Sequence, residues 1–144
     1  MVVEILVGLE AMQPNMHVVS NFLKYDKEGN ILGMKNQLDE IIHVYNKNDK
    51  SLNRLGGGGD FVASVASRRN VILVGDSLGD CNMADGVHDP AAILKIGFLN
   101  HSVDTDAGKV RLEKYLDAFD IVLVDDQTMN VVNAIAQAID NQSL

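Results

Sequence analysis

Along the chain, short runs of apolar residues alternate with longer segments in which apolar residues recur at helical spacing. Residues 71–74 and 121–124 are unbroken runs of Val, Ile and Leu, which is typical of strands buried on both faces in the middle of a parallel sheet. Residues 109–119 and 129–139 carry apolar side chains on one helical face. Buried strands that alternate with helices predict an α/β fold with a parallel sheet.

The remaining pattern predicts shorter elements. Residues 2–12 have helix-like apolar spacing interrupted by Gly8, and residues 22–25 and 31–34 flank a polar turn that is typical of two paired strands. We also expect short strands over residues 17–19, 41–45 and 94–98, and short helices over residues 80–85 and from Pro90. The four glycines at 56–59 predict a break or flexible loop within residues 52–69.

Composition restricts the class of protein. The 144 residues, 47% hydrophobic, fit one domain over residues 1–144. A net charge of -8 with scattered basic residues argues against a nucleic-acid surface. The single cysteine, Cys81, excludes an internal disulfide and fits a reducing, cytoplasmic compartment. The sequence has no run of 18 apolar residues, so we expect no membrane span. It leaves the oligomeric state open, with a monomer slightly favoured.

The clearest candidate chemistry follows the apolar run at 71–74. Gly75 lets the chain turn, and Asp76 and Asp80 lie four residues apart where a parallel strand would end. Ligands bind at that edge of open α/β sheets, and two carboxylates with a substrate phosphate suit Mg²⁺. The alternative is structural, with Asp76 closing a turn and Asp80 capping the helix that begins near Cys81.

Polar groups follow two other predicted strands. Ser20 and Asn21 come after residues 17–19, and Lys47 comes after residues 41–45. In a parallel sheet these groups and the two acids would share one edge, where a hydroxyl, an ammonium and carboxylates could hold a phosphate ester and its Mg²⁺. Taken singly, Ser20 and Asn21 are common turn residues and Lys47 is an ordinary solvated lysine.

The chain also resembles a known family. The matching segments are residues 18–21, 46–49, 75–80, 83–87, 93–100 and 120–124. They resemble the carboxyl-terminal half of the cytosolic 5'-nucleotidase III family of haloacid-dehalogenase-like phosphatases, which includes forms specific for 7-methylguanosine phosphate. The resemblance covers most of residues 12–140, but the family has a helical segment where this chain has glycines 56–59.

This resemblance implies a fold and a reaction. The fold is a Rossmann-like, haloacid-dehalogenase-type parallel sheet with helices on both faces. The reaction is Mg²⁺-dependent hydrolysis of nucleoside 5'-monophosphates to nucleoside and phosphate. By resemblance, Ser20 and the Asn21 backbone bind the substrate phosphate, Lys47 stabilises the phosphoryl group, Asp76 binds Mg²⁺, and Asp80 supports the metal shell and holds Lys47.

One family motif does not occur in the sequence. These phosphatases carry Asp-x-Asp-x-Thr after their first strand, where the first Asp attacks phosphorus and the second is the general acid and base. The 144 residues contain no such motif. We therefore expect a partial core without the first strand and the helical cap, inactive alone.

Three alternatives stay open. The chain could be a non-catalytic module that binds phosphate, Mg²⁺ or a full-length partner. It could be another phosphatase of the superfamily, such as a phosphoserine phosphatase. It could also be an α/β domain without catalysis, in which the acids are turn and cap residues.

Overall fold

A computed structural model of the chain describes residues 2–35, 41–43, 65, 67–85, 87 and 89–141. Its elements, in chain order, are α1 (Val2–Gly8), β1 (Phe22–Tyr25), β2 (Ile31–Lys35), β3 (Asn70–Gly75), a 3₁₀ turn (Leu78–Asn82), β4 (Ala92–Leu99), α2 (Asp106–Ala118), β5 (Ile121–Val124) and α3 (Asn130–Asn141). Within these ranges, every helix is too short or too polar to cross a bilayer.

The predicted parallel sheet is present, with its strands in the order β3-β4-β5. Gly75 of β3 pairs with Gly97 of β4, and Leu99 of β4 pairs with Val124 of β5. Because all three strands are parallel, their carboxyl ends meet at one edge of the sheet. The expectation that residues 71–74 form a middle strand is wrong for the described sheet, since β4 lies in the centre and β3 at one side.

The position of β3 explains its burial. Leu73 is the one buried side chain of this strand, and Ile72 is 39% exposed. An unbroken apolar run predicts burial on both faces only where the strand has neighbours and helices on each side. The largest fully buried side chains are instead Ile96 and Leu99, both on the central strand β4.

Helix α2 closes the core against this strand. Tyr115 and Phe119 are buried, their ring centroids 5.4 Å apart, and a Cβ on Gly97 would lie 2.6 Å from the Phe119 ring. The aromatic ring therefore rests on the backbone of β4, which only a glycine permits. At the start of β5, the Asp120 amide donates to the Lys95 carbonyl (2.9 Å), and the Lys95 amide donates to the Asp120 carboxylate (2.8 Å).

Strands β1 and β2 form the antiparallel hairpin that the turn residues predict. The Asp26 carboxylate accepts hydrogen bonds from the Asn30 side chain (2.8 Å) and from the amides of Asn30 (2.8 Å) and Glu28 (2.9 Å). These bonds, the one from the Asn30 side chain above all, lower the pKa of Asp26. The turn is thus an aspartate-centred loop of the kind that polar turn sequences favour.

Two predicted strands are not seen in the described residues 17–19 and 41–43. Residues 17–19 have no ladder partner among the described strands, and residues 41–43 have none either. Instead, the side-chain amide of Asn21 donates to the Ile42 carbonyl (2.7 Å) and accepts from the Ile42 amide (2.8 Å). One side chain thus replaces the strand partner that the β-branched residues of this segment predicted. Residues 44–45 and the glycines at 56–59 lie outside the described residues.

Predictions for three helices also need correction. The helix expected from Pro90 is absent, because the amides of Ala91 and Ala92 both donate to the Arg69 carbonyl and the chain enters β4 at once. The helix expected over residues 80–85 is the 3₁₀ turn, shifted toward Ser77. Helix α2 begins at Asp106 rather than at residue 109, since the Thr105 hydroxyl accepts from the Gly108 amide (3.0 Å) and caps it.

The apolar faces of the last two helices are narrower than their periodicity indicates. Val110 and Leu116 of α2 are 52% and 59% exposed, and Ile139 of α3 is 53% exposed. Tyr115 and Phe119 are the buried aromatics in and just after α2. A prediction from apolar spacing alone therefore overestimated how many of these side chains are buried in the core.

Candidate functional site

An open cleft of about 690 Å³ lies where β3, β4 and β5 end. Its lining residues come from the three strand ends and the segments that follow them: Val74, Gly75, Asp76, Asp80, Met83, Phe98, Asn100, Gln127 and Met129. Such a place, outside the carboxyl ends of parallel strands, is the usual ligand position in open α/β sheets. The structure thus brings Asp76 and Asp80 together at the predicted edge.

Asp80 organises the loop between β3 and the 3₁₀ turn. Its side chain is buried, with 3% of the residue exposed. Its Oδ2 atom accepts hydrogen bonds from the Asp76 amide (3.1 Å), the Ser77 amide (3.0 Å) and the Ser77 hydroxyl (3.0 Å). The carboxylate therefore fixes the loop that presents Asp76, which is the capping role weighed above as the structural alternative for Asp80.

Gly75 makes this arrangement possible. A Cβ atom at this position would collide with the Asp80 side chain, with Oδ2 only 2.9 Å away. The backbone and the carboxylate can approach this closely only because residue 75 has no side chain. A glycine is therefore needed here so that the Asp80 side chain can lie against the backbone.

Asp76 differs from Asp80 in its surroundings. Its residue is exposed and lines the cleft, whereas its backbone carbonyl accepts a 2.6 Å hydrogen bond from the Tyr115 hydroxyl. Burial of Tyr115, and secondarily the nearby charge of Asp76, raises the pKa of that phenol. The apolar pattern of α2 predicted only that Tyr115 is a core residue. No local feature of the sequence indicated its hydrogen bond to Asp76, which lies 39 positions away.

The carboxylate of Asp76 fits a magnesium ligand. Within the described residues it takes part in no hydrogen bond or ion pair, so both of its oxygens are available. The same residues contain no group of three or more His, Cys, Asp or Glu that could hold a metal ion. Mg²⁺ commonly uses one or two protein carboxylates, with waters and substrate phosphates completing its shell, so this donor set suits it.

The other predicted site residues are not joined to the acids by a described contact. Ser20 is half-buried in the segment before β1, and Asn21 uses its side chain to bond Ile42. Lys47 lies outside the described residues. That Ser20 and Lys47 share one pocket with Asp76 therefore stays a prediction.

The end of β5 contributes to the cleft in a way that the sequence analysis did not identify. Asp126 accepts from the Thr128 hydroxyl (2.7 Å) and amide (2.8 Å), which lowers its pKa and shapes the segment that carries Gln127. Asn100 likewise follows β4 directly and lines the cleft. Asn100 and Gln127 both follow an apolar strand closely, and this position after a strand is the sequence signal that could have identified them.

Comparison with known proteins gives consistent results. The model of the pyrimidine 5'-nucleotidase (UMPH-1) family matches residues 1–140. A 7-methylguanosine phosphate-specific 5'-nucleotidase of Homo sapiens is 43% identical over 136 residues, which are 94% of this chain and 41% of the relative. A Drosophila melanogaster protein of the same description is 40% identical over 141 residues, 98% of this chain and 40% of the relative.

Among solved structures, cytosolic 5'-nucleotidase IIIB bound to cytidine is similar with a TM-score of 0.78 and 39% sequence identity. The match covers 99% of this chain and 44% of that one. This similarity confirms the α/β fold class. The chain spans about two fifths of the length of the curated relatives it matches.

Proposed function

Because the chain belongs to the pyrimidine 5'-nucleotidase (UMPH-1) family, we propose that it carries the Mg²⁺- and phosphate-binding part of a site that hydrolyses nucleoside 5'-monophosphates. The products are the nucleoside and inorganic phosphate. The resemblance seen in the sequence is confirmed by this family membership and by relatives described as 5'-nucleotidases. The observation that carries the proposal is the exposed carboxylate of Asp76 at the carboxyl end of β3, where the backbone amide and carbonyl of Asp76 are both hydrogen-bonded.

In this proposal Asp76 holds the metal. Bound Mg²⁺ supplies positive charge that offsets the negative charge developing on the phosphoryl oxygens. Asp80 contributes by fixing the amides of residues 76 and 77, and Tyr115 contributes by fixing the Asp76 carbonyl. Such pre-orientation spares the site the cost of ordering the loop when ligand binds.

Ser20, Asn21 and Lys47 are the proposed phosphate-binding residues. The Ser20 hydroxyl would donate to a phosphoryl oxygen, and the Lys47 ammonium would offset the charge of the phosphoryl group. The side chain of Asn21 already bonds Ile42 through both its oxygen and its nitrogen, and its backbone amide is the donor that we propose for phosphate. This matches the role that the resemblance implies for Asn21.

We also propose that these 144 residues alone do not hydrolyse nucleoside 5'-monophosphates. The sequence contains no Asp-x-Asp-x-Thr, so it lacks the motif to which the family resemblance assigns the nucleophile and the general acid and base. The haloacid-dehalogenase-type core and the cytoplasmic location also stay predictions. A Caenorhabditis elegans relative and the similar solved structure are both named as cytosolic 5'-nucleotidases, which supports the location.

Calorimetry tests the metal site. The chain is titrated with Mg²⁺ in the presence of CMP or 7-methyl-GMP, beside the variant Asp76→Asn and the control Asp85→Asn. Asp85 is also exposed and lies close in sequence but does not line the cleft. We expect saturable Mg²⁺ binding that weakens about tenfold or more in Asp76→Asn, because a charge-assisted contact is lost, and that is unchanged in the control.

Two results would contradict the proposal separately. Equal Mg²⁺ affinity in the wild-type chain and Asp76→Asn would remove Asp76 from the metal site. Mg²⁺-dependent release of phosphate from CMP or 7-methyl-GMP by the purified chain would overturn the absence of turnover. Binding without turnover is the result expected.

A further inference from the structure

A second cleft, of about 710 Å³, lies between the 3₁₀ turn and α2. It is lined by residues 76–79, by His101 in the segment after β4, and by Val110, Arg111 and Lys114 on α2. Its size is within the range of small-molecule sites. Of the residues that line it, the proposed nucleotidase reaction uses Asp76, Ser77 and Tyr115 but neither Arg111 nor Lys114.

Two cationic side chains, Arg111 and Lys114, line this cleft. Within the described residues, neither Arg111 nor Lys114 forms an ion pair, whereas Lys109 on the same helix lies 3.8 Å from Asp106. Asp76 is the one acid among the residues that line the cleft. In a chain of net charge -8, two unpaired cations facing one space attract an anion to that space.

The arrangement of the two cations suits a phosphate group. Arg111 and Lys114 are three residues apart, so they are neighbours on one face of α2. The Nη1 atom of Arg111 lies 3.0 Å from Nε2 of His101, a contact that orients the guanidinium. The remaining guanidinium hydrogens can then engage two oxygens of one phosphate.

The same cleft has an apolar wall. Leu78 and Val110 both line it and are 39% and 52% exposed, respectively. Exposed apolar side chains beside unpaired cations favour a ligand that has both a carbon framework and a negative charge. A bare inorganic anion would leave these two side chains in water.

From these observations we propose that the cleft between the 3₁₀ turn and α2 binds an organic phosphate. Its phosphate lies on Arg111 and Lys114, and its carbon framework lies on Leu78 and Val110. The site is separate from the proposed Mg²⁺ site but adjoins it, because Asp76 lines both clefts. An anion in the second cleft is repelled by Asp76, so the two sites are coupled by charge.

Nuclear magnetic resonance titration tests this site in EDTA, where no Mg²⁺ is bound. The probes are CMP and inorganic phosphate, added to the wild-type chain, to the double variant Arg111→Gln/Lys114→Gln and to the control Lys109→Gln. The control removes a lysine from the same helix that already has a partner. We expect CMP to shift the amide resonances of residues 77–79 and 111 and to bind more tightly than inorganic phosphate. In the double variant only, the affinity for CMP should fall about tenfold or more.

The variant Asp76→Asn separates this site from the proposed metal site. Its Mg²⁺ binding is expected to weaken about tenfold or more, but it should bind CMP in EDTA at least as tightly as the wild-type chain, since a repelling charge is gone. The inference is overturned by unchanged CMP binding in the double variant, by loss of CMP binding in Asp76→Asn, by equal affinity for CMP and inorganic phosphate, or by no CMP binding in EDTA. None of these results depends on whether Asp76 holds Mg²⁺.

Discussion

The hydroxyl of Tyr115 in α2 donates a 2.6 Å hydrogen bond to the backbone carbonyl of Asp76, at the end of β3. The bond joins a buried core residue to the residue that presents the exposed carboxylate of the candidate site. Packing of α2 on the sheet therefore determines where the loop after β3 lies. A change in α2 that moves Tyr115 should therefore also shift the backbone of Asp76.

Removal of this hydroxyl tests the connection. The variant Tyr115→Phe keeps the ring that packs against Phe119 but leaves the Asp76 carbonyl without its donor. We expect the free energy of unfolding, measured in urea, to fall by about 1 kcal/mol. The Mg²⁺ affinity should fall as well, because the loop is less ordered.

Tyr25→Phe is the matched control. Tyr25 lies on β1 and is 55% exposed, so loss of its hydroxyl should change neither stability nor Mg²⁺ affinity. If Tyr115→Phe behaves like this control, the bond to Asp76 does not stabilise the loop.

Gly75 gives a second prediction. In Gly75→Ala the new methyl group meets the Asp80 side chain, so the carboxylate must move away from the amides of residues 76 and 77. We expect the free energy of unfolding to fall by about 1–3 kcal/mol, the usual cost of overpacking. The amide resonances of residues 76 and 77 should shift in the same variant.

Gly8→Ala is the control for this substitution. A Cβ at Gly8, the last residue of α1, meets no atom within 4 Å. Alanine there should leave stability unchanged or raise it slightly, because it favours the helix. Equal stability of the two variants would mean that the loop accepts a side chain at residue 75.

Cys81 should be unreactive while the chain is folded. The residue is buried, and desolvation raises the pKa of its thiol above the ordinary value of 9.0, so little thiolate forms at neutral pH. As the only cysteine, it allows reaction with a disulfide reagent to be followed without interference. We expect slow reaction in buffer and fast reaction in urea; equally fast reaction in both would contradict its burial.

The raised pKa also gives a pH dependence with a definite sign. The folded state holds the thiol proton to a higher pH than the unfolded state does, so the contribution to stability is complete below pH 9.0 and is lost as pH rises further. Unfolding measured above pH 9.0 should therefore show a steeper loss of stability in the wild-type chain than in Cys81→Ala. Tyr115, whose pKa is also raised by burial, adds a loss at still higher pH in both proteins.

The sequence predicted those parts of the fold that depend on local signals. The hairpin followed from its turn residues, and β5 and the position of Asp76 and Asp80 followed from apolar runs and the acids after them. The apolar run at residues 71–74 by itself predicted a middle strand, whereas β3 lies at the side of the described sheet, because a run of apolar residues carries no information about its neighbours. Strand order depends on contacts between distant segments.

The sequence was also silent on close approaches and long-range polar contacts. The early start of α2 depends on Gly108, where a Cβ would collide with the Ser102 carbonyl, and periodicity cannot reveal such a contact. The bond from Tyr115 to Asp76 and the pairing of Asn21 with Ile42 join positions 39 and 21 residues apart. Both became visible only when the fold brought the residues together.

The pairing of Asn21 with Ile42 supports a final prediction. Asn21 bonds both the amide and the carbonyl of Ile42, so its side chain orders a segment that has no strand partner among the described residues. In Asn21→Ala we expect exchange of the Ile42 amide hydrogen to become about fivefold to tenfold faster, since a bond worth about 1 kcal/mol is lost.

The control is Asn30→Ala, which removes a side-chain bond to Asp26 in the hairpin turn and leaves Ile42 untouched. Exchange at Ile42 should stay at the wild-type rate in this variant, whereas exchange at Asn30 itself should rise. If Asn21→Ala leaves the Ile42 amide protected, another group orders residues 41–43.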